Sequence, residues 1–259
     1  MGMTLEKILQ SQGFGSRKLC RDMIRSGRIK VNGTTCTNPA ADLSTDNLFL
    51  NVDEVEWRYR HHVYLAMNKP AGTECSHQPQ HHDSVFSLLP PQLVQRGVQC
   101  VGRLDQDTTG LLFFSDDGAF IHAYSTPRKK VRKIYEVYVK HPIQPEQVAA
   151  LQNGVKLHDE PAPIAAMACE QIDEHRLHLT LAEGKYHQVK RMIAAAGNRV
   201  EKLHRFAIGG FTLDDSLAEG AWRWLEPDDL IRIQSGVVKP ASERPSENRI
   251  AVRHAGNSM

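Results

Sequence analysis

Hydrophobic residues near the start of the chain recur at helical spacing and predict a short first helix. Leu5, Ile8 and Leu9 lie on one face of such a helix, because positions three and four apart meet on one side. Gly13 and Gly15 follow this apolar set and end the helix.

A second predicted helix follows directly and is marked by both its cap and its apolar stripe. Ser16 can cap it, because a serine hydroxyl accepts a hydrogen bond from a free amide of the first turn. Leu19, Met23 and Ile24 form the predicted buried stripe, and Gly27 ends the helix.

The pattern then changes from helical spacing to alternation. Residues 28–31 alternate as a short strand, and Asn32-Gly33 is typical of a tight hairpin turn. Residues 51–62 are polar and charged, so we interpret them as a linker. Beyond that linker the chain is dominated by strand-like runs.

Residues 63–233 contain short apolar or alternating runs that predict a sheet. Val63–Met67 and Leu111–Phe114 are apolar runs of strand length. Lys133–Lys140 alternates, with Tyr135, Val137 and Val139 on one face, and residues 177–181 repeat that pattern.

One helix stands out within this strand-rich region. Val189, Met192, Ile193 and Ala196 have helical spacing, and Gly197 ends the run. Strands without regular βαβ alternation predict an α+β fold with a mostly antiparallel sheet. Residues 234–259 lose periodicity and gain Pro, Ser, Arg and Asn, which predicts a disordered tail.

Composition fits a folded protein of about two domains. The chain has 259 residues, of which 41% are hydrophobic and 24% charged. The five cysteines are widely spaced, which argues against a disulfide framework. Neither a secretory signal nor an apolar run long enough to span a membrane is visible, so we expect a cytoplasmic protein.

Positive charge is concentrated in the N-terminal region, although the whole chain carries a net charge of only +2. Between positions 17 and 30 there are six Lys or Arg residues and one acid, Asp22. Such a run is often only a solvated helix face. Here both the helix and the next strand contribute, which favours a surface that contacts RNA phosphates. The predicted contacts are Arg17, Lys18, Arg21, Arg25, Arg28 and Lys30.

The densest polar cluster is the segment 101–110, which we predict to be a loop that runs into a strand. In an extended backbone, Arg103, Asp105 and Asp107 share one face. A carboxylate near a guanidinium stays ionised, so Asp105 suits a nucleophile or a base. The alternative is a surface turn without chemistry. An aspartic protease is excluded, because no second carboxylate motif is present.

At this point the sequence resembles a known family. Four segments in the family's order resemble the motifs of pseudouridine synthases, and the N-terminal region resembles the S4 RNA-binding module. The resemblance covers residues 4–230. It implies a small S4-type α/β module at 3–50, the linker, and a synthase domain at 63–233 whose mixed, mostly antiparallel sheet is flanked by helices. The four segments are Asn68–Gly72, Gly102–Leu111, Lys133–Tyr135 and Glu183–Met192.

The resemblance implies catalytic roles for four residues. Asp105 would act on a uridine flipped out of the RNA, and Arg103 would fill the space that the base leaves. Tyr135 would stack on the uracil, and Lys190 would pair with Asp105. Taken singly, each residue has an ordinary structural alternative, such as a core aromatic or a surface charge.

The branch of the family is indicated by a few residues. Tyr186-His-Gln188 and Ile208–Leu213 resemble the branch that modifies 16S rRNA, at uridine 516 in the family's rRNA numbering. A 23S rRNA synthase and a non-catalytic RNA-binding assembly factor remain alternatives. Further RNA contacts are predicted at Lys69, His187, Gln188 and Arg191.

We expect no cofactor and no metal. The reaction is an isomerisation, and no phosphate-cradling loop is visible. Cys75, His77 and the pairs His61-His62 and His81-His82 do not have the spacing of zinc ligands. The expected partner is ribosomal RNA or a small-subunit assembly intermediate, and nothing in the sequence indicates more than a monomer.

Overall fold

Three hydrophobic cores organise the computed structural model, which describes residues 2–126 and 129–235. One core lies in a small N-terminal unit, and the other two lie on opposite faces of a large sheet. The fold is the predicted α+β class, with a mostly antiparallel mixed sheet and flanking helices.

The N-terminal unit packs two helices on a small antiparallel sheet. Its sheet has the order β3-β2-β5-β6, and β1 pairs separately with β4. The predicted turn at Asn32-Gly33 is confirmed, since both residues have positive φ and join β2 to β3. The elements are α1 (Leu5–Ser11), α2 (Arg17–Arg25), β1 (Gly2–Thr4), β2 (Ile29–Val31), β3 (Thr34–Thr35), β4 (Asp42–Ser44), β5 (Phe49–Val52) and β6 (Val55–Arg58).

Helix α2 begins as predicted but buries a different stripe. The Ser16 side chain accepts a hydrogen bond from the amide of Leu19 and caps the helix. Leu19 itself is 46% exposed, so its assignment to the core is wrong. Cys20, Met23 and Ile24 are buried instead. Their spacing puts these three residues on one face and leaves Leu19 beside it.

The predicted linker at residues 51–62 is largely a hairpin. Asn51 and Val52 complete β5, and β6 pairs with it through a turn at Asp53 and Glu54, both of which have positive φ. The segment looked like a linker because an edge hairpin with one solvated face is rich in polar residues. The connection between the two units is the shorter run 59–63.

The larger unit is built on a nine-stranded sheet. Its order is β13-β14-β12-β15-β11-β7-β17, with β10 beside β11 and β16 beside β15. Within this sheet, as the described residues show it, only the β11–β15 pair is parallel. The strands of the larger unit, including β8 and β9 outside this sheet, are β7 (Tyr64–Lys69), β8 (Thr73–Glu74), β9 (Asp83–Ser84), β10 (Gln99–Val101), β11 (Thr109–Ser115), β12 (Lys133–Val139), β13 (Ala168–Gln171), β14 (Arg176–Leu181), β15 (Val200–Ile208), β16 (Phe211–Thr212) and β17 (Trp222–Trp224).

Helices cover both faces of this sheet. Strands β7 and β11 are buried on both faces, whereas β12 and β14 alternate buried and half-buried residues as predicted. Strands β8 and β9 form a separate parallel pair. The helices are a 3-10 turn (Val85–Leu88), α3 (Pro91–Gln95), α4 (Gly118–Ser125), α5 (Pro145–Asn153), α6 (Gln188–Ala195) and α7 (Pro227–Ser235).

A buried polar contact joins the N-terminal unit to the sheet. The Gln12 Oε1 atom accepts a hydrogen bond from Arg96 Nη1 at 3.0 Å, and Arg96 also donates to Asp116 Oδ2. Next to it, a Cβ on Gly13 would lie 2.0 Å from the backbone oxygen of Gln92. The backbones of the two units therefore meet closely at this point.

The predicted tail begins inside a helix. Gln234 and Ser235 form the end of α7, because Ile233 is buried in one of the sheet cores and holds that helix against the sheet. The rest of the predicted tail, residues 236–259, lies outside the described residues.

Candidate active site

The loop at residues 102–108 carries Asp105 and connects β10 to β11 at the centre of the sheet. It closes on itself through a hydrogen bond from the Thr108 amide to the Asp105 carbonyl, 3.1 Å long. Gly110 follows with φ +104, and a Cβ there would lie 2.3 Å from the Arg205 backbone oxygen. A glycine is needed because β11 and β15 approach each other closely at this point.

Lys69 fixes the shape of this loop from inside the protein. It is fully buried, and its Nζ donates to the carbonyls of Pro70, Gln106 and Thr108 at 3.0, 3.3 and 3.0 Å. Burial lowers the pKa of Lys69. Lys69 has no exposed surface here, so its charge supports the loop, and the RNA contact expected at Lys69 stays a prediction.

Lys190, in helix α6, lies between two carboxylates of the loop. Its Nζ is 3.2 Å from Asp105 Oδ2 and 2.6 Å from Asp107 Oδ1. Burial opposes the charge on Lys190, but the hydrogen bond to Asp107 and the charge of Asp105 outweigh it and raise the lysine pKa. Burial also opposes ionisation of Asp107, and Lys190 still lowers the pKa of that carboxyl.

His187 approaches the other oxygen of the same carboxylate. Its Nε2 is 3.4 Å from Asp105 Oδ1, so the carboxylate has a lysine on one side and an imidazole on the other. His187 has φ +47, which is unusual for a residue with a side chain. The Asp105 side chain is 26% exposed and thus open to a substrate.

Gln188 shapes the turn that holds His187. It is 4% exposed, its Oε1 accepts from the Lys185 amide, and its Nε2 donates to Glu183 Oε1. Gln188 therefore has a structural role here, and the RNA contact expected at Gln188 stays a prediction. The Arg191 guanidinium already has partners within the protein, because it donates to the Tyr186 carbonyl and lies 3.5 Å from an Asp159 carboxylate oxygen.

Arg103 and Tyr135 differ in exposure. Arg103 is exposed and forms no hydrogen bond or ion pair with any other residue of the described ranges. Tyr135 is 7% exposed and belongs to the same core as Leu104, the neighbour of Asp105. Tyr135 thus has a packing role in addition to any role toward a substrate.

Four of the six residues of the predicted basic patch are paired with acids. Glu6 is buried and contacts both Arg17 and Arg21, Arg28 contacts Asp53, and Lys30 contacts Glu54. Arg21 and Arg17, through their hydrogen bonds, lower the pKa of Glu6. Lys18 and Arg25 are exposed, and neither has an ion pair among residues 2–126 and 129–235.

Two residues beside the loop were not identified from the sequence. His204 Nδ1 lies 2.8 Å from Thr109 Oγ1, and burial lowers the His204 pKa. Arg205 is 2% exposed and donates from Nε to the Leu111 carbonyl. The sequence does contain a signal for Arg205. It lies between Leu203 and Ala207 at alternate positions of β15, and this alternation places the arginine on the inward face of the strand.

Within residues 2–126 and 129–235, no three His, Cys, Asp or Glu side chains are grouped closely enough to hold a metal ion. None of the helices in these ranges is long and apolar enough to cross a membrane.

Comparison with known proteins assigns the family. The profile described as RNA pseudouridylate synthase matches residues 63–195, and the S4 domain profile matches residues 3–47. The chain belongs to the RNA pseudouridylate synthase family. The enzyme is thus an isomerase that makes pseudouridine in RNA, and the loop, Tyr135 and Lys190 all lie within the matched range.

Relatives of this synthase cover nearly the whole chain. The ribosomal small subunit pseudouridine synthase A of Vibrio cholerae is 36% identical over 236 residues, which is 89% of this chain and 99% of the relative. The enzyme of the same name from Pasteurella multocida is 34% identical over 88% of this chain and 98% of the relative. A crystal structure of a pseudouridylate synthase matches with a TM-score of 0.63 and 31% identity, covering 89% of this chain and 99% of that one.

Proposed function

We propose that this synthase converts one uridine of 16S rRNA to pseudouridine, at position 516 in the family's rRNA numbering. The observation that carries the proposal is the Asp105 carboxylate, which is open to substrate and lies between Lys190 and His187. The 16S assignment rests on relatives that are named for the ribosomal small subunit and on the segment Tyr186-His-Gln188.

The reaction requires the N1–C1′ bond of the nucleotide to break and a C5–C1′ bond to form. The C5 proton is lost and N1 gains one, so the atoms balance without a group donor or a redox partner. Because a stacked uracil cannot turn over, the nucleotide must first be flipped into the cleft. Activity should therefore need no nucleotide or redox cofactor.

Asp105 would act on the flipped nucleotide as an ionised carboxylate. It would either add covalently to the sugar or base, or remove a sugar proton as the glycosidic bond breaks. Lys190 would hold this carboxylate ionised and oriented, because a cation 3.2 Å away favours the charged form. Both routes use the same residue and the same geometry.

Arg103 and Tyr135 would handle the base. Arg103, which is exposed and unpaired in the described ranges, would enter the gap that the extruded base leaves in the RNA stack. Tyr135 would present the accessible part of its ring to the uracil, and its hydroxyl would assist loss of the C5 proton.

RNA affinity would come mainly from the S4 domain. Lys18 and Arg25 are the cations of α2 that are free to contact phosphates, and Arg17 and Arg21 can join them by exchanging Glu6 for RNA. The substrate would be 16S rRNA or a small-subunit assembly intermediate, bound by a monomer.

The decisive experiment compares three substrates and two variants. Protein-free 16S rRNA, 23S rRNA and partly assembled small subunits are incubated with the wild-type enzyme, and pseudouridines are mapped. We expect one new pseudouridine in 16S rRNA. Modification of 23S rRNA alone would replace the 16S assignment with the large-subunit alternative.

Asp105→Asn separates catalysis from RNA binding. The variant should form no pseudouridine, yet should fold and bind RNA, because Lys190 keeps its contact with Asp107. Asp107→Asn is the matched control, since it makes the same change of charge two residues away. Pseudouridine formation by Asp105→Asn at the wild-type rate would refute the mechanism and favour another reactive group.

A further inference from the structure

An aromatic side chain is exposed beside the active site without a packing role. Tyr186 is 75% exposed, more than any other large hydrophobic residue among those described. Its ring stacks on His187, with 3.9 Å between the ring centroids and 17° between the planes. One face of the tyrosine ring is thus covered by the imidazole, and the opposite face is open to solvent.

This stacked pair lies next to the catalytic carboxylate and is held there by its surroundings. His187 Nε2 is 3.4 Å from Asp105 Oδ1. The buried Gln188 closes the turn that carries both residues by accepting from the Lys185 amide, and Arg191 donates to the Tyr186 carbonyl. The open face of the ring therefore occupies a defined position at the mouth of the cleft.

Base flipping creates a need for such a surface. When a nucleotide leaves the stack, its neighbour loses a stacking partner, and the exposed base face must be covered by water or by the protein. Aromatic side chains cover bases of any sequence, because every base has a flat π-face. Arg103 would enter the gap and stack on one of the two bases that border it. The base on the other side of the gap would still lack a stacking partner.

We propose that Tyr186 is a stacking platform for the unpaired base of the nucleotide next to the target uridine. The proposal rests on the proposed function, because it takes rRNA as the substrate. Tyr186 binds this base through its open face, and His187 supports the ring from behind. The platform fixes the position of the target nucleotide relative to Asp105.

The test uses an rRNA fragment that contains the target, with 2-aminopurine in place of either the 5′ or the 3′ neighbour. Stacking on an aromatic ring quenches 2-aminopurine fluorescence. The wild-type enzyme and Tyr186→Phe should quench one of the two labelled fragments, and Tyr186→Ala should not. Tyr186→Ala should also raise the Kd for the fragment roughly tenfold, and raise KM more than it lowers kcat.

Ile231→Ala is the matched control, because Ile231 is 64% exposed on α7 and is not part of the cleft. It should leave quenching, Kd and turnover unchanged. A fragment with an abasic neighbour should bind wild type and Tyr186→Ala with equal affinity, since the ring then has nothing to stack on.

The outcomes distinguish this inference from the proposed function. Wild-type turnover of the 16S fragment reports the proposed function, whereas quenching and Kd report the platform without turnover. If Tyr186→Ala quenches and binds as the wild type does, the platform is refuted. If wild type modifies only a 23S fragment, the 16S assignment fails, and the platform is judged by the same measurements on the 23S fragment.

Discussion

Helix α2 of the S4 domain and the site around Asp105 both bring opposite charges together, but in opposite arrangements. On α2, one buried carboxylate, Glu6, holds Arg17 and Arg21, and the neighbouring Lys18 and Arg25 are unpaired in the described structure. The helix surface therefore keeps an excess of positive charge, which suits the phosphates of RNA.

The cleft has the reverse arrangement. One cation, Lys190, lies between Asp105 and Asp107, and His187 is the other basic group near Asp105. The acids are the groups held in place here, and Asp105 stays open to a substrate, which suits a reaction on a base or sugar. Under the proposed function, affinity and chemistry would reside in separate sets of residues, and we expect that they can be removed separately.

After Asp105→Asn, the largest effect is expected when Lys190 is changed to Met. The substitution removes the charge between two carboxylates while keeping a side chain of similar length. We expect kcat to fall by about 10²–10³-fold, because a preorganised charge beside the reacting group is removed. RNA affinity should change little. The rate constant of the chemical step is measured by single turnover at saturating RNA, and kcat by multiple turnover.

Lys156→Met is the control for this prediction, because Lys156 is an exposed lysine outside the cleft. It should behave as the wild type. A Lys190→Met enzyme that retains kcat within a few-fold of wild type would mean that Asp105 does not depend on its cation.

The second effect is weaker affinity with unchanged chemistry. Replacement of Arg17, Lys18, Arg21 and Arg25 by Ala should raise the Kd for rRNA roughly tenfold or more. The log–log dependence of binding on salt should become shallower by about 0.7 for each phosphate that the protein no longer neutralises, if the RNA is single-stranded. The single-turnover rate at saturating RNA should stay close to that of wild type.

Two double variants refine this result. Lys18→Ala with Arg25→Ala should account for most of the rise in Kd, because those two cations have no acid to displace. Arg17→Ala with Arg21→Ala should have the smaller effect on Kd. The opposite ranking would mean that Glu6 orients Arg17 and Arg21 for RNA binding, rather than competing with the RNA phosphates for these two arginines.

A third, smaller effect is a gain of affinity in Glu6→Gln. Removing the acid frees Arg17 and Arg21, so RNA binding should tighten a few-fold. Glu6→Gln should also melt at a lower temperature than wild type at neutral pH. Because the two arginines lower the Glu6 pKa below its ordinary 4.5, that stabilisation is present above pH 4.5 and is lost as the pH falls further.

Melting curves of wild type and Glu6→Gln between pH 7 and pH 3 measure this difference. Glu56→Gln serves as the comparison, since Glu56 is an exposed acid without an ion pair in the described ranges. A melting difference that persists unchanged at pH 3 would show that Glu6 stabilises the fold by packing rather than by charge.

The smallest effect is expected for Asp107→Asn. The Asp107 side chain is 54% exposed, and an exposed ion pair contributes little, so kcat should change by at most about fivefold. Lys190 would then pair with Asp105 alone. Complete loss of activity would contradict the assignment of Asp105 as the single reactive carboxylate and indicate that both acids take part.

Local patterns in the sequence predicted the local structure well. The Ser16 cap, the Asn32-Gly33 turn and the alternation in β12 all depend on neighbours within a few residues, and all three are confirmed. The contact between Lys190 and Asp105 was implied by family resemblance, and these side chains do meet in the structure.

Sequence patterns are least informative where long-range contacts decide burial and pairing. Lys69 was assigned to RNA because its charge is visible in the sequence, whereas two of its three carbonyl partners lie at residues 106 and 108. The acids that pair with the basic patch likewise come from residues 6, 53 and 54. No pattern along the chain shows which distant groups will meet.

The central position of β11 has a consequence for the order in which the enzyme is assembled during synthesis. Thr109 contacts His204, 95 positions away, and Asn68 contacts Leu217 across 149 positions. Contacts at such separation form slowly and only after both partners have left the ribosome. The S4 domain, whose strands all lie between Gly2 and Arg58, can fold while the rest is being made. The nascent chain should therefore be able to hold RNA before it is able to modify it.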